Sequence, residues 1–495
     1  MTDHQTDLHM LRIAGSATLS AGAVHLFSLP GQNSRILACE AQVTSVRCRC
    51  REGRLDAEGT LRMTLYTAQS GQLCAQEATE PFSLAWNDPA ISPASQAEVW
   101  AFAARPRLRR EGEGRYRAEC GIEAEVRLLC PETAQVLTDL SGIAAETETA
   151  DCHWLAEWMQ AEAEWTLQED VLLPEGSPEA EEILTASAAF TPLEAATSAG
   201  SLHCRGEVRV SVLYRDGEDE LHRAEFTLPL EEEARFAGEE GGSPRVLPGV
   251  CETAVKIYPD VDGAKRLLHL TLRVPVRIDE ARMESARLLE DAFALEGELA
   301  LTRESVRLPQ APFLRPENLP VEATAELEGE PPEAVLACLA RAQLDSVSAD
   351  ASGTAAEATL FAQILCRDAE GTLRAVNLQC PLHWDLGDCP ADTEPEFRAC
   401  EITAHCEGGR WRLTGRVPAI LRAFPEMRRT LVTEAAYTEA EAAPAWSLKL
   451  LLAGPEESLW SLARRGGVTR ETLAACNPAL RERAPKEGEA IVVMR

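Results

Sequence analysis

Gly206-Glu207-Val208-Arg209-Val210-Ser211-Val212-Leu213-Tyr214 alternates polar and apolar side chains through Val212. A period of two is the mark of a β-strand with one buried face. Asp216-Gly217 supplies a turn, and a return segment runs to Pro229-Leu230. The pattern recurs upstream as Gly59-Thr60-Leu61-Arg62-Met63-Thr64-Leu65-Tyr66, turning at Ser70-Gly71 and reaching Pro81-Phe82. Downstream it recurs as Ala358-Thr359-Leu360-Phe361-Ala362-Gln363-Ile364-Leu365-Cys366, turning at Glu370-Gly371 and reaching Pro381-Leu382. The gaps Tyr66 to Pro81, Tyr214 to Pro229 and Cys366 to Pro381 are equal. Proline lacks the amide donor, so each is expected to end its ladder.

Working outward, each hairpin is preceded by a short signature: Ile36-Leu37-Ala38-Cys39, Ile183-Leu184-Thr185-Ala186 and Val335-Leu336-Ala337-Cys338. One helical turn could start each copy there. Closing strands are expected near Glu119–Leu129, Leu267–Ile278 and Trp411–Leu421. The expected architecture is mainly β. It has three repeated, sandwich-like antiparallel modules at residues 22–140, 165–300 and 320–438. Linkers are expected near Gly142–Thr149, Leu308–Pro320 and Glu439–Pro444. Cys152–Gln168, with Trp154, Trp158 and Trp165, reads as a helix or a bridging strand packed against a module. Sugar binding by these tryptophans is the second reading.

Residues 446–495 follow a different rule. Trp446–Leu452 reads as a strand. Glu457–Arg465 has helical spacing with Ser458 as a cap, and Gly466-Gly467 stops it. A second helix starts after Thr469 and stops at Asn477-Pro478, and Glu489–Met494 closes the unit as a strand. The order is β-α-α-β.

Composition narrows the function. Asp and Glu number 80 against 48 Lys and Arg, a net charge of −32. Such a chain repels phosphate backbones and anionic lipid, which argues against nucleic-acid and membrane-surface roles. No apolar run is long enough to span a bilayer, and the start of the chain is a poor export signal. The expected location is therefore the cytosol. The sixteen cysteines include no C-x-x-C pair, and buried reduced thiols explain them. No nucleotide-binding, hydrolase or zinc-protease motif is present, so no catalytic residue, metal or cofactor is expected. The densest reactive cluster is Cys380, His383, Cys389, Cys400, His405 and Cys406, whose spacing is irregular for a metal site or a thiol hydrolase.

The C-terminal unit resembles the LysM family. The residues that carry this are Ser458-Leu459-Trp460-Ser461-Leu462-Ala463, Gly467-Val468-Thr469, Leu473, Asn477-Pro478 and Gly488. That resemblance implies a peptidoglycan- or chitin-binding groove for N-acetylglucosamine polymers. By matching position, Pro455, Glu456, Glu457, Ser458 and Leu459 form one side. Asn477, Pro478, Ala479 and Leu480 form the other, and Trp460 falls at a structural position. Glu456-Glu457 stand where the family usually has Gly-Asp or Gly-Asn. An acidic rim suits a basic protein partner at least as well as a glycan.

Modules of this size with a Leu-Tyr strand end, followed by a terminal LysM, resemble the SPOCS family of spore-forming Firmicutes. The third copy departs from it, with Leu365-Cys366. The resemblance implies a non-catalytic role in spore-coat assembly. Such a protein is made in the mother-cell cytoplasm and assembles at the forespore surface. It also implies that the LysM domain docks on a coat-anchoring ATPase. The alternative is binding of peptidoglycan or cortex.

Overall fold

Buried and exposed side chains alternate along most strands of this protein, because each sheet turns one face to a core. The structure, a computed structural model, describes residues 2–29, 34–198, 200–239, 242–350, 353–398, 400–439 and 448–494. The chain is mainly β, and the strand pairings are antiparallel.

The strands fall into three sets. The first holds β1 (Thr2–Ser28), β2 (Arg35–Arg51), β3 (Arg54–Gln69), β4 (Gln72–Asn87), β5 (Gln96–Ala103), β6 (Arg107–Gly112) and β7 (Arg115–Ser141). One sheet is ordered β2-β3-β4; the other is β1-β7-β5, with β6 also on β7. Leu61, Met63 and Leu65 of β3 meet Ile122, Ala124 and Val126 of β7 in the core between them.

The second set holds β8 (Ala145–Leu172), β9 (Glu182–Ser198), β10 (Ser201–Arg215), β11 (Leu221–Arg235), β12 (Arg245–Pro248), β13 (Glu252–Tyr258) and β14 (Leu267–Ala294). Sheet β11-β10-β9 shares a core with the sheet of β8, β12, β13 and β14. The third set holds β15 (Glu298–Pro309), β16 (Phe313–Glu326), β17 (Ala334–Asp350), β18 (Gly353–Arg367) and β19 (Leu373–Gly387). It continues with β20 (Glu394–Phe397), β21 (Glu401–Glu407), β22 (Arg410–Ala423) and β23 (Glu426–Thr438). Sheet β17-β18-β19 covers the sheet of β16, β20, β21 and β22, and β15 pairs with β23 as a separate ribbon. Pro312 and Pro425 lie where this ribbon breaks from β16 and β22.

In each set the first and last strands run on past the sheets as a ribbon. β1 and β7 pair from Thr2↔Ser141 to Ser28↔Arg115, and β8 and β14 from Ala145↔Ala294 to Leu172↔Leu267. The outer halves of the three ribbons bury one another. Leu8, Met10, Val136, Trp154, Leu288, Leu308 and Leu431 make one core drawn from six strands.

The sets also lock at the hairpin ends. An Arg35 guanidinium donates to the Leu373 carbonyl, Arg215 to the Leu73 carbonyl, and Arg367 to Glu220. The first set thus grips the third, the second grips the first, and the third grips the second. Nearer the ribbons Arg277 reaches Glu98 and Arg127 reaches Glu394, each at 2.7 Å. Between the second and third sets the Arg245 guanidinium donates to the Pro312 carbonyl, and Leu247 and Ile420 share an apolar cluster.

Several expectations require correction. Strands begin at Thr2 and Ala145, well before residues 22 and 165, and β8 takes up residues 145–149 of the expected linker 142–149. The interval 308–320 holds the end of β15 and much of β16. Ile36, Ile183 and Val335 lie in strands, with no helical turn. Cys152–Gln168 takes the strand alternative rather than the helix, as part of β8, and its three tryptophans are buried in packing, as expected. Trp154 donates to the His9 carbonyl at 3.1 Å, so none of them forms a sugar platform. Of the linker Glu439–Pro444, residues 440–444 lie outside the described residues, as do Trp446 and Ser447.

The prolines do not end their ladders. Pro81, Pro229 and Pro381 sit inside β4, β11 and β19, opposite Thr60, Glu207 and Thr359. Each of those strands is the outermost of its sheet, where a missing amide breaks no ladder bond. The equal gaps also hide a difference of register. In β3 the odd-numbered residues face the core, so Tyr66 lies on the opposite face. In β10 the even-numbered residues face the core, and Tyr214 is among them.

Candidate functional site

After the third set come β24 (Leu448–Leu452), α1 (Leu459–Gly466), α2 (Arg470–Cys476), a 3₁₀ turn at Pro478–Arg481 and β25 (Ala490–Met494). β24 and β25 pair, with Leu448 opposite Met494 and Leu452 opposite Ala490. The Ser458 hydroxyl accepts the Ser461 amide and caps α1, and Gly467 takes the left-handed φ of 66° that ends it. Thr469 caps α2 by accepting the Thr472 amide at 3.0 Å. Leu451, Leu462, Ala463, Leu473, Ile491 and Val493 form the core.

Of the nine groove positions, several are spent on holding the unit together. Leu480 is buried in its core. The Asn477 amide donates to the carbonyls of Leu473 and Val492 and accepts the Val492 amide, pinning the end of α2 to β25. Glu457 accepts the Gly454 amide at 2.8 Å and pairs with Arg465 at 2.6 Å. The Gly454 amide, with Arg465, holds its carboxyl below the usual carboxylate range. Glu457 is therefore a neutralised loop anchor, not a free negative rim. Leu459 is half-buried against the same core. Pro455, Glu456, Ser458, Pro478 and Ala479 are exposed. Glu456 has φ of 55°, a left-handed conformation that favours glycine.

No sequence motif announces how this unit meets the strand sets. α1 and the start of α2 rest on the tip of the β8–β14 ribbon. Trp460 donates its indole N–H to Asp291 at 2.8 Å and meets the Phe293 ring edge-on at 4.9 Å. Arg464 donates to Asp291 and to the Ala292 carbonyl. Arg470 pairs with Glu146 at 2.9 Å and donates to the Thr147 carbonyl. Burial alone would raise the Asp291 carboxyl; hydrogen bonds from Trp460, Arg464 and Arg303 outweigh it and leave the pKa lowered. Trp460 is structural, but as a joint between units.

Docking on that side leaves the outer face of the β24–β25 ribbon open. Leu448, Leu450, Leu452 and Met494 are 59%, 64%, 65% and 47% exposed. Alternation places all four on one face, because Leu448 pairs with Met494.

The cysteine and histidine cluster does not assemble. Cys380 lies in a core with Leu382 and Trp384, and His383 bonds Glu357 at 2.7 Å. Cys389 donates to the Leu386 carbonyl. Burial pushes the Cys400 thiol up to about 12. Among the described residues, no group of three or more His, Cys, Asp and Glu side chains is placed to hold a metal ion. Among them too, no helix is long and apolar enough to cross a membrane. Comparison of the chain with protein-family models, with curated proteins and with solved structures gave no match.

Proposed function

We propose that this chain is a non-catalytic interaction protein of spore-coat assembly. In this reading it is built of three SPOCS-like β-modules and a LysM-like C-terminal domain, and that domain docks on a coat-anchoring ATPase. The observation that carries it is the open apolar face of Leu448, Leu450, Leu452 and Met494. Contiguous exposed aliphatic side chains mark a protein-binding surface. They offer none of the hydrogen-bonding groups that orient a sugar. Four of the nine groove positions, Glu457, Leu459, Asn477 and Leu480, face inward or are tied to neighbours, which weakens the glycan alternative. The proposed location is the mother-cell cytoplasm, with assembly at the forespore surface.

The test is a pull-down of the full chain from sporulating cells, wild type beside Leu450→Glu and Leu452→Glu. These positions are exposed, so both variants should fold. Recovery of a coat-anchoring ATPase by wild type alone supports the reading. Equal recovery by all three proteins refutes the surface. Cosedimentation with purified cortex instead would favour the glycan reading.

A further inference from the structure

Where the three sets meet, their inward sheets line an open cavity of about 1510 Å³. Its walls are the faces of β3, β10 and β18 that point away from the sandwich cores. The positions opposite the three prolines, Thr60, Glu207 and Thr359, give a common register. Two residues on, Arg62, Arg209 and Phe361 share one level of the cavity wall. Arg341 is the cross-strand partner of Phe361, and its guanidinium lies over that ring at 4.7 Å. Each set therefore brings one arginine to the same level. The next level carries Thr64, Ser211 and Gln363, all hydrogen-bonding groups. Tyr66 and Leu365 follow, in an apolar cluster with Leu37, Leu73 and Leu373 that packs the next level.

This chain has 48 basic residues against 80 acidic ones, so an arginine without a carboxylate is out of place. Yet among the described residues Arg62, Arg209 and Arg341 make no carboxylate ion pair. Arg62 donates to the neutral Gln42 amide. Arg105, also on the wall, donates to the neutral Asn377 amide. Burial lowers the Arg341 pKa, and the nearby charge of Arg105 lowers it further, as expected of cations facing one another. The carboxylates on the wall are differently placed. Glu401 is matched by Arg416, and Glu125 and Glu394 by Arg422. Glu40 accepts the Tyr66 hydroxyl; burial raises its pKa, although that hydrogen bond and the nearby Arg62 charge act the other way. Glu225, across from Ser211, is matched by Arg223, and Glu396 by Arg398, which leaves Glu77 and Glu123 as the opposing charges.

We infer that this cavity binds a small multivalent oxyanion, one carrying several phosphate or carboxylate groups. Arg62, Arg209 and Arg341 would be its charge partners, and Thr64, Ser211 and Gln363 its hydrogen-bonding floor. Guanidinium is the side chain best matched to both head groups, because its planar fork binds two oxygens at once. A ligand held by all three sets would also tie them together. This site is separate from the C-terminal docking face and stands or falls independently of it.

The test is isothermal titration of the full chain with tripolyphosphate, inorganic phosphate and citrate, with sodium chloride at matched ionic strength as the control. One tight site per chain is expected for tripolyphosphate or citrate, with affinity at least tenfold lower in Arg62→Gln/Arg209→Gln/Arg341→Gln. Arg107→Gln/Arg109→Gln, exposed on β6 outside the cavity, should bind as wild type. If the triple variant fails to fold, Arg209→Gln alone serves, because Arg209 is exposed. Saturable binding of either multivalent probe, lost in the cavity variant, supports the site; the probe identifies the head group. No saturable binding beyond the chloride control, or binding unchanged in the cavity variant, overturns it.

Discussion

The indole N–H of Trp460 donates to the Asp291 carboxylate across 2.8 Å, joining the C-terminal unit to the tip of the longest ribbon. Asp291 also receives Arg464 and Arg303, so one carboxylate organises the joint. Asp291→Ala should free the C-terminal unit, at a cost of about 2 kcal/mol for losing hydrogen bonds to a charged group. Hydrogen exchange should rise across α1 while the cores of the three strand sets stay protected. Unchanged protection of α1 would refute the joint. The folded pKa of Asp291 is depressed. Its contribution is therefore complete above the ordinary aspartate pKa and fades as pH falls through the lower folded value. The wild-type joint should thus loosen in acid, and the Asp291→Ala joint should not change over that range.

Glu457→Lys should act first on stability. It removes the acceptor of the Gly454 amide and places a cation beside Arg465. A loss of about 1 kcal/mol in the C-terminal unit is expected for a partly screened pair with one backbone hydrogen bond. Thermal unfolding followed by hydrogen exchange in residues 448–494 would measure it. A variant as stable as wild type would restore Glu457 as a free rim charge.

Glu456 and Asp219 both hold left-handed backbone, with φ of 55° and 65°. Glycine carries no Cβ penalty there, so Glu456→Gly and Asp219→Gly should each stabilise by up to about 1 kcal/mol. The check is the denaturation midpoint, and a drop in either variant contradicts it.

Gly59 and Gly206 stand at the same register in β3 and β10. A Cβ on Gly59 would lie 2.4 Å from the Phe82 ring, and one on Gly206 2.4 Å from the Thr191 carbonyl oxygen. Gly59→Ala and Gly206→Ala should each cost about 1–3 kcal/mol through overpacking. The third set carries Ala358 at this register, where Ala358→Gly should be mild by comparison. Chemical denaturation would separate these outcomes.

Burial pushes the thiols of Cys39, Cys338 and Cys400 up to about 12. The thiolate is the reactive form, so at pH 8 these three should resist iodoacetamide in the folded chain and react on denaturation. Peptide mass spectrometry reads this directly. Rapid labelling of any of the three in the native protein would contradict it.

Alternation and turn chemistry made the three hairpins legible, and Ser458 and Thr469 announced their helix caps. What stayed hidden was tertiary. The 27-residue β1 and 28-residue β8 exceed ordinary strand length, and their outer halves bury against other ribbons rather than their own sheet. No local pattern in Thr2–Ala21 or Ala145–Glu164 encodes that. The Leu-Tyr match between Tyr66 and Tyr214 concealed a slip of one residue, which a period of two turns into opposite faces. In the C-terminal unit the positions of the groove residues were readable, but their partners were not. Asn477 closes on Val492, Glu457 on Arg465 and Trp460 on Asp291, partners that no local spacing rule singles out.

The grips of Arg35 on Leu373, Arg215 on Leu73 and Arg367 on Glu220 form a head-to-tail contact that returns to its start after three steps. A head-to-tail contact that failed to return would propagate into a filament. Here every donor and every acceptor edge is filled from within a single chain. The molecule has no growing end at these edges, so any larger assembly must be built through other surfaces.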